Sequence, residues 1–191
     1  MNPKDFVDQI LEFEAESILM DLAFSPALVG VAFEFDESRK RRSLEFVVSI
    51  LRDAYDHQHL QIAVSNHGSD LYGYAMLFAY AGQPVRYLHK VYVHEEFRGQ
   101  GVGTGLLEAV TNGDHTTALT CSVDVEKFYS KKGFEYVRDF EVPDSSDFRL
   151  SKHLYSGLVL MTNGSGYQKA PVFMLNDDDI RKIMGIALGK D

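Results

Sequence analysis

Cysteine occurs only once in this chain, at Cys121. A single thiol excludes an internal disulfide and fits a reducing cytoplasm, and it is expected as a small buried residue at a strand end. Long hydrophobic runs are missing too. None approaches the roughly 20 apolar residues a membrane-spanning helix needs, so no membrane association is expected. The opening Met1-Asn2-Pro3-Lys4-Asp5 lacks the basic and apolar regions of a signal peptide, which again predicts a cytoplasmic protein. Positive charge is in deficit: 19 basic against 28 acidic side chains leave a formal net charge of −9. That balance argues against nucleic acid as a partner and tilts slightly toward a cationic one. Repeats, low-complexity tracts and a linker that would split off a second domain are also lacking. The 191 residues, 45% hydrophobic and 25% charged, suffice for one substantial core and predict a single domain over 1–191.

What the chain does have is Val91-Tyr92-Val93-His94-Glu95-Glu96-Phe97-Arg98-Gly99-Gln100-Gly101-Val102-Gly103-Thr104-Gly105-Leu106-Leu107. A β-branched and aromatic run passes into four glycines spaced by two, then into a helical apolar pattern. The spacing predicts a strand, a turn poor in side chains, and a helix N-terminus. Glycines let backbone N–H groups approach a ligand closely. The first amides of the helix lack intrahelical partners and carry the positive end of the dipole. Together they suit a phosphate or pyrophosphate.

The glycine spacing excludes two familiar phosphate loops. A dinucleotide fingerprint needs G-x-G-x-x-G, but the sixth position is Thr104 or Leu106 in the two possible registers. A Walker loop needs a lysine, and this turn has none. The pattern R-x-x-G-x-G, read as Arg98 to Gly103, resembles the pyrophosphate loop of the GNAT superfamily of acetyl-coenzyme-A-dependent N-acetyltransferases.

A second segment, Cys121-Ser122-Val123-Asp124-Val125-Glu126-Lys127-Phe128-Tyr129-Ser130-Lys131-Lys132-Gly133-Phe134, resembles the later motif of the same superfamily. Asp124 and Glu126 open a helix, Lys131 and Lys132 close it, and Gly133 terminates it. The resemblance places Tyr129 beside the coenzyme sulfur. Where the family often has Asn, seven residues before the tyrosine, this chain has Ser122, whose hydroxyl can still hydrogen-bond a pantetheine amide. The two motifs span about the middle third of the chain, a coenzyme-binding core of about 85–134.

The rest of the chain supplies the frame. Asn2 and Pro3 suit a helix start, and Val7, Leu11, Ala15, Ile18 and Leu22 share one face of a helix running to about Phe24, ended by Pro26. Val29, Val31, Phe33 and Phe35 alternate as a strand. Leu44, Val47, Val48, Leu51 and Tyr55 mark a second helix, whose early Arg39-Lys40-Arg41-Arg42 reads as a solvated face. Leu60 to Ser65 and Leu71 to Tyr80 form a hairpin around Asn66–Asp70, followed by a strand from Val85 to Val93. Strands are expected near Ala118, at Phe134–Val142 and at Leu154–Thr162. In the C-terminal extension, about 164–191, Asn163–Gly166 is a turn, Pro171–Leu175 a short edge strand, and Asn176 the cap of a last helix. Asp177, Asp178 and Asp179 suit that helix's positive end better than a metal, because consecutive side chains point around the helix. Its apolar Ile180, Ile183, Met184 and Ala187 must bury on the domain or on another subunit, which predicts a homodimer.

The resemblance implies an α/β fold with a mixed, centrally splayed sheet flanked by helices, a single domain with an extra C-terminal helix. It also implies direct transfer of acetyl from acetyl-CoA to an amine, expected on a small molecule, in a ternary complex. The alternatives are a protein or peptide amine, or a coenzyme-A-binding module without turnover. By the same resemblance Tyr129 is the general acid, and a strand N–H near Tyr92 or Val93 bonds the thioester carbonyl. Coenzyme contacts are expected from Tyr92, Val93, Arg98, Gly99, Gln100, Gly101, Val102, Gly103, Thr104, Ser122 and Tyr129. For the base, His89 has a near-neutral reference pKa and lies on the strand before the loop, sharing a face with Tyr87; His94 and Glu95 follow as the strand ends. His57-x-His59 lacks a third ligand and reads as surface histidines at a helix end, so no metal is expected.

Overall fold

A computed structural model describes residues 6–23, 36–143, 146–164 and 171–190. The predicted helix start at Asn2 and Pro3, the stop at Pro26 and the strand at Val29–Phe35 lie outside the described residues. Helices are α1 (Val7–Ala23), α2 (Glu37–Asp56), α3 (Val102–Thr111), α4 (Val123–Ser130) and α5 (Asp177–Leu188). Strands are β1 (Leu60–His67), β2 (Asp70–Phe78), β3 (Val85–Val93), β4 (Thr116–Ser122), β5 (Glu135–Asp139) and β6 (Leu158–Thr162). The chain forms two compact units, one from 1–8, 54–140 and 157–173, the other from 9–53, 141–156 and 174–191.

The first unit is a six-stranded mixed sheet in the order β1-β2-β3-β4-β6-β5. The β1–β2 hairpin turns at Gly68, whose φ is 58°, with Asn66 Nδ2 donating to its carbonyl at 3.1 Å. The β3–β4 pair is parallel and every other pair is antiparallel. One face is covered by α3 and α4. Leu106, Leu107 and Val110 of α3 pack with Ala75, Leu77, Leu88, Leu119, Cys121, Phe134, Val159 and Met161, and Tyr129 of α4 packs against this cluster. The alternation in β4 decides these assignments: Leu119 and Cys121 join that cluster, while Ala118 joins Val85 and Leu160 on the other face. The mixed, helix-flanked α/β sheet expected from the sequence is what forms.

Three expected strands end differently. Lys152–Tyr155 is a 3-10 turn, so the strand expected from Leu154 starts at Leu158. The strand expected to reach Val142 stops at Asp139, where the Phe140 amide still bonds to Leu158 O at 2.8 Å. Pro171–Leu175 is irregular rather than an edge strand; proline cannot donate to a ladder, and the sheet edges are already held by β1 and β5.

In the second unit Ile10, Leu11, Ala15, Leu22, Val47 and Leu51 are buried. Asn176 caps α5 as expected, accepting from the amides of Asp178 and Asp179 while the Asp179 carboxylate accepts from the Asn176 amide, a full capping box. Asp177 is buried and accepts the Leu150 amide at 2.8 Å. At the other end of α5, Arg39 Nη1 donates to Ala187 O at 3.0 Å. One member of the basic run therefore neutralises a helix C-terminus instead of facing solvent alone. Ile180, Ile183, Ile186 and Ala187 are buried within the chain itself. Met184, the remaining residue of the expected stripe, is half-buried.

Candidate active site

The glycine turn is built on the end of β3. The His94 amide donates to Tyr72 O at 2.9 Å, and the Tyr72 ring stacks on Phe97 with centroids 3.9 Å apart. Residues Glu95–Phe97 form a 3-10 turn. Arg98 Nε donates to Val93 O at 3.0 Å, and Gln100 Nε2 donates to Glu96 O at 2.9 Å. These two side chains, expected only as coenzyme contacts, tie the turn back onto the strand and the preceding 3-10 residues.

Gly99 and Gly101 have φ of 74° and 85°, conformations that a side chain resists, so two of the four glycines are conformational requirements. Among the described residues, and apart from the flanking ones, no atom lies within 4 Å of where a Cβ would sit on either one, so the side they expose is open. Gly101 caps α3 without any side-chain bond. The first helical bond there runs from the Gly105 amide to Gly101 O at 3.0 Å. The amides of Val102, Gly103 and Thr104 precede it and point out of the helix end. Gly103 is different: a Cβ there would meet Val93 Cγ2 at 3.4 Å and Phe128 Cζ at 3.8 Å. Its role is closeness between the strand end, α3 and α4.

Beside this turn the sheet opens. Strands β3 and β4 pair only from Val85–Thr116 to Leu88–Leu119. Beyond Leu88 the two strands part, and β4 continues on its other side paired with β6 as far as Ser122–Leu158. The cause lies in the pairing of β3 with β2. Leu77 pairs with Leu88 and Met76 with Lys90, so His89 is the extra residue of a β-bulge. A bulge bends its strand and sharpens its twist, which turns the end of β3 away from β4. Residues Tyr92 and Val93, the expected oxyanion donors, lie in the part of β3 beyond this divergence. Gly73 permits the close approach of β2, since a Cβ there would stand 2.3 Å from Tyr92 O.

Tyr129 packs on the α3–α4 face, against the cluster that holds Leu88, Leu119 and Cys121. Its carbonyl accepts from the Lys132 and Phe134 amides at 2.9 and 3.2 Å, and the Gly133 amide bonds Ser130 O at 3.2 Å. This is the bond pair of a Schellman ending, with Phe134 as its buried apolar residue. The Phe134 ring meets the Tyr129 ring edge-on at 5.9 Å. The Gly-Phe of the motif thus fixes where the tyrosine points. Burial, with smaller contributions from Cys121 and Tyr87, pushes the Tyr129 phenol up to about 12. Burial and then Glu126 push the Cys121 thiol up to about 11, and its Sγ faces Met161 Sδ at 3.7 Å. Cys121 is the inert buried residue expected of it. Ser122 ends β4 and caps α4 with φ −70° and ψ 154°, exposed and with no cap bond from its side chain.

His89 lies on the opposite face of the sheet from Tyr129. Its ring meets Phe78 edge-on at 5.7 Å and Phe173 at 5.3 Å, with Tyr87 at 6.1 Å. His94 meets Tyr92 edge-on at 5.1 Å, and Glu95 is exposed in the 3-10 turn. His57 and His59 stack with centroids 6.1 Å apart, and His59 packs on Tyr80 at 4.9 Å. Among the described residues no group of three metal-ligating side chains converges, and no helix is long and apolar enough to cross a membrane. Three contributors escaped the sequence reading. Phe128 is exposed next to Gly103, Gly73 lies under β3, and Thr120 accepts or donates a hydrogen bond with Tyr87.

Residues 56–136, which contain the turn, the divergence and Tyr129, match the family model described as the acetyltransferase (GNAT) domain. No curated protein matches the chain. Among solved structures, the histone acetyltransferase HPA2 and related acetyltransferase from Corynebacterium glutamicum superposes with a TM-score of 0.57. It shares 17% identity, over 88% of this chain and 96% of that one. PaiA N-acetyltransferase from Thermoplasma acidophilum, solved with coenzyme A, gives a TM-score of 0.48 at 16% identity, over 79% of this chain and 92% of that one. Residues 56–136, which span both motifs, are thus matched as a GNAT acetyltransferase domain, and the splayed sheet has the fold of the Corynebacterium glutamicum structure.

Proposed function

We propose that the chain moves an acetyl group from acetyl-CoA to the amine of a small molecule by direct transfer in a ternary complex. The observation that carries this reading is an alignment. The open amides of Val102, Gly103 and Thr104, the gap where β3 leaves β4, and the Tyr129 ring follow one another along one side of the sheet. The pyrophosphate sits on the α3 start, with Gly99 and Gly101 leaving it room. The pantetheine runs into the gap, within reach of Ser122, and the thioester carbonyl takes a backbone N–H from Tyr92 or Val93.

In the reaction the amine lone pair attacks the thioester carbon, forming the N–C bond while the C–S bond breaks. His89, on the far face of the gap, takes the proton the amine sheds. The sulfur receives a proton from Tyr129. A phenol at about 12 is a weaker acid than an alkyl thiol near 8.5, so this proton follows the charge developing on sulfur within the same step. The phenolate then regains a proton through solvent from the histidine. The net charge of −9 favours an acceptor that arrives as an ammonium ion and releases one proton to solvent before its lone pair attacks, and the single buried thiol suits a reducing cytoplasm.

The test is release of free thiol from acetyl-CoA against a panel of small amines and amine-bearing peptides. Turnover with a small amine supports the reading, and turnover with peptides alone moves the acceptor to a protein. Acetyl-CoA binding without thiol release for any acceptor leaves a coenzyme-binding module.

A further inference from the structure

We propose that the hydroxyls of Tyr87 and Thr120 form a clasp that sets how far β3 and β4 open, and so position the acyl-pantetheine arm between them. The proposal rests on the acetyl-CoA reading above. Tyr87 Oη and Thr120 Oγ1 are 2.9 Å apart. In the parallel ladder Tyr87 pairs with Ala118, and the last pair is Leu88 with Leu119. Thr120 is therefore the first β4 residue past the end of the ladder. By period two it shares a face with Ala118, which makes it the diagonal cross-strand neighbour of Tyr87.

The bond thus bridges the two strands at the point where backbone pairing stops. Both ends of the bridge are held. Tyr87 is only 3% exposed, with its ring 6.5 Å from Phe78 and 6.1 Å from His89. Thr120 is fixed on its other side by pairing with Leu160 of β6. The bulge at His89 bends β3 away from β4, and no backbone bond opposes it beyond Leu88. A side-chain bond at this position resists further opening, while the tyrosine ring prevents the strands from zipping together. Tyr87 and Thr120 are positioning residues in this account and touch no reacting atom.

Calorimetry on Tyr87→Phe, Thr120→Val, the double variant and Thr120→Ser tests the clasp with two ligands. One ligand is acetyl-CoA; the other is its nucleotide half, adenosine 3′-phosphate 5′-diphosphate, which has no arm to enter the gap. Each single hydroxyl deletion is expected to weaken acetyl-CoA binding about 5- to 10-fold, with the nucleotide half held within about twofold. The double variant should be no weaker than either single one, and Thr120→Ser should bind like the wild type. Unchanged acetyl-CoA affinity, an equal loss for both ligands, or losses that add in the double variant overturns the clasp. If Tyr87→Phe fails to fold, the two Thr120 variants decide alone. A wild type that does not bind acetyl-CoA removes the coenzyme reading itself, a result distinct from wild-type binding with unaffected variants.

Discussion

Two helices of this molecule begin in opposite ways. At the start of α5 the chain closes the helix with its own side chains: Asn176 accepts from two amides, Asp179 reaches back to the Asn176 amide, and Asp177 and Asp178 add negative charge. At the start of α3 the cap is Gly101, with no side-chain bond, no acidic residue in the first turn and open space around the preceding glycines. Both ends face the same electrostatic problem of unpartnered amides at the positive end of a dipole. One is solved internally and serves stability. The other has no side-chain partner, and Arg98 and Gln100, the side chains beside it, bond backbone carbonyls instead; in the proposed reading an anion from outside takes its amides.

The largest expected effect separates chemistry from binding at the open end. Tyr129→Phe keeps the ring that Phe134 packs against and removes the proton. Steady-state assays should show kcat and kcat/KM falling together by about 100-fold or more, with acetyl-CoA affinity near that of the wild type. Near-normal kcat removes the general-acid role and leaves Tyr129 as core packing.

Gly101→Val attacks the open end itself. At φ 85° a β-branched residue is strained, and its side chain enters the space left for the ligand. Acetyl-CoA affinity, read by calorimetry on folded protein, should drop by about 10-fold or more. Asn176→Ala is its counterpart at the closed end. It should cost about 1 kcal/mol of stability in denaturant melts and leave acetyl-CoA affinity where it was.

A third helix end sharpens the contrast. The end of α2 carries the bond pair of a Schellman ending, Gln58 to Tyr55 O at 3.0 Å and His59 to Ala54 O at 2.8 Å, yet Gln58 occupies the position that favours glycine, with φ 61°. Gln58→Gly should stabilise the protein by about 0.5–1 kcal/mol in the same melts, with activity unaltered. A loss of activity there would reveal a strained residue with a functional part.

The smallest effect is expected near neutral pH. The folded-state phenol of Tyr129 is raised to about 12 from 10.0, so the folded protein holds this proton more tightly than the unfolded chain. The stability it contributes is full below pH 10 and is lost as pH rises from 10 toward 12. Below pH 10 the pH dependence of the rate should owe nothing to Tyr129, and the alkaline limb of the wild type should be missing from pH–stability curves of Tyr129→Phe between pH 10 and 12.

The open end was legible in the sequence because its signals are local. Gly99 and Gly101 lie within one turn, and Asn176, Asp177 and Asp179 announce a cap within four residues. The divergence of the sheet was legible only through family resemblance, because the bulge at His89 depends on how β3 pairs with β2, some 12 residues earlier in the chain. Tyr87 and Thr120 meet across 33 residues and carry no motif. Arg39 at the end of α5 is separated from its acceptor by 148 residues, so a basic run read correctly as helical gave no hint of its partner. Leu154–Ser156 carries strand-like residues, but Tyr155 instead offers its hydroxyl to the Leu175 amide at 3.3 Å, a contact within the second unit that periodicity does not encode.

The most direct test follows backbone amides by NMR as the nucleotide half of coenzyme A is titrated into the full chain. The amides from Gly99 to Thr104 should shift progressively to a common saturation point, while those of Asp177, Asp178 and Asp179, bonded or screened by their own carboxylates and Asn176, stay fixed. Shifts absent from the α3 start, or equal at both helix starts, would contradict the account.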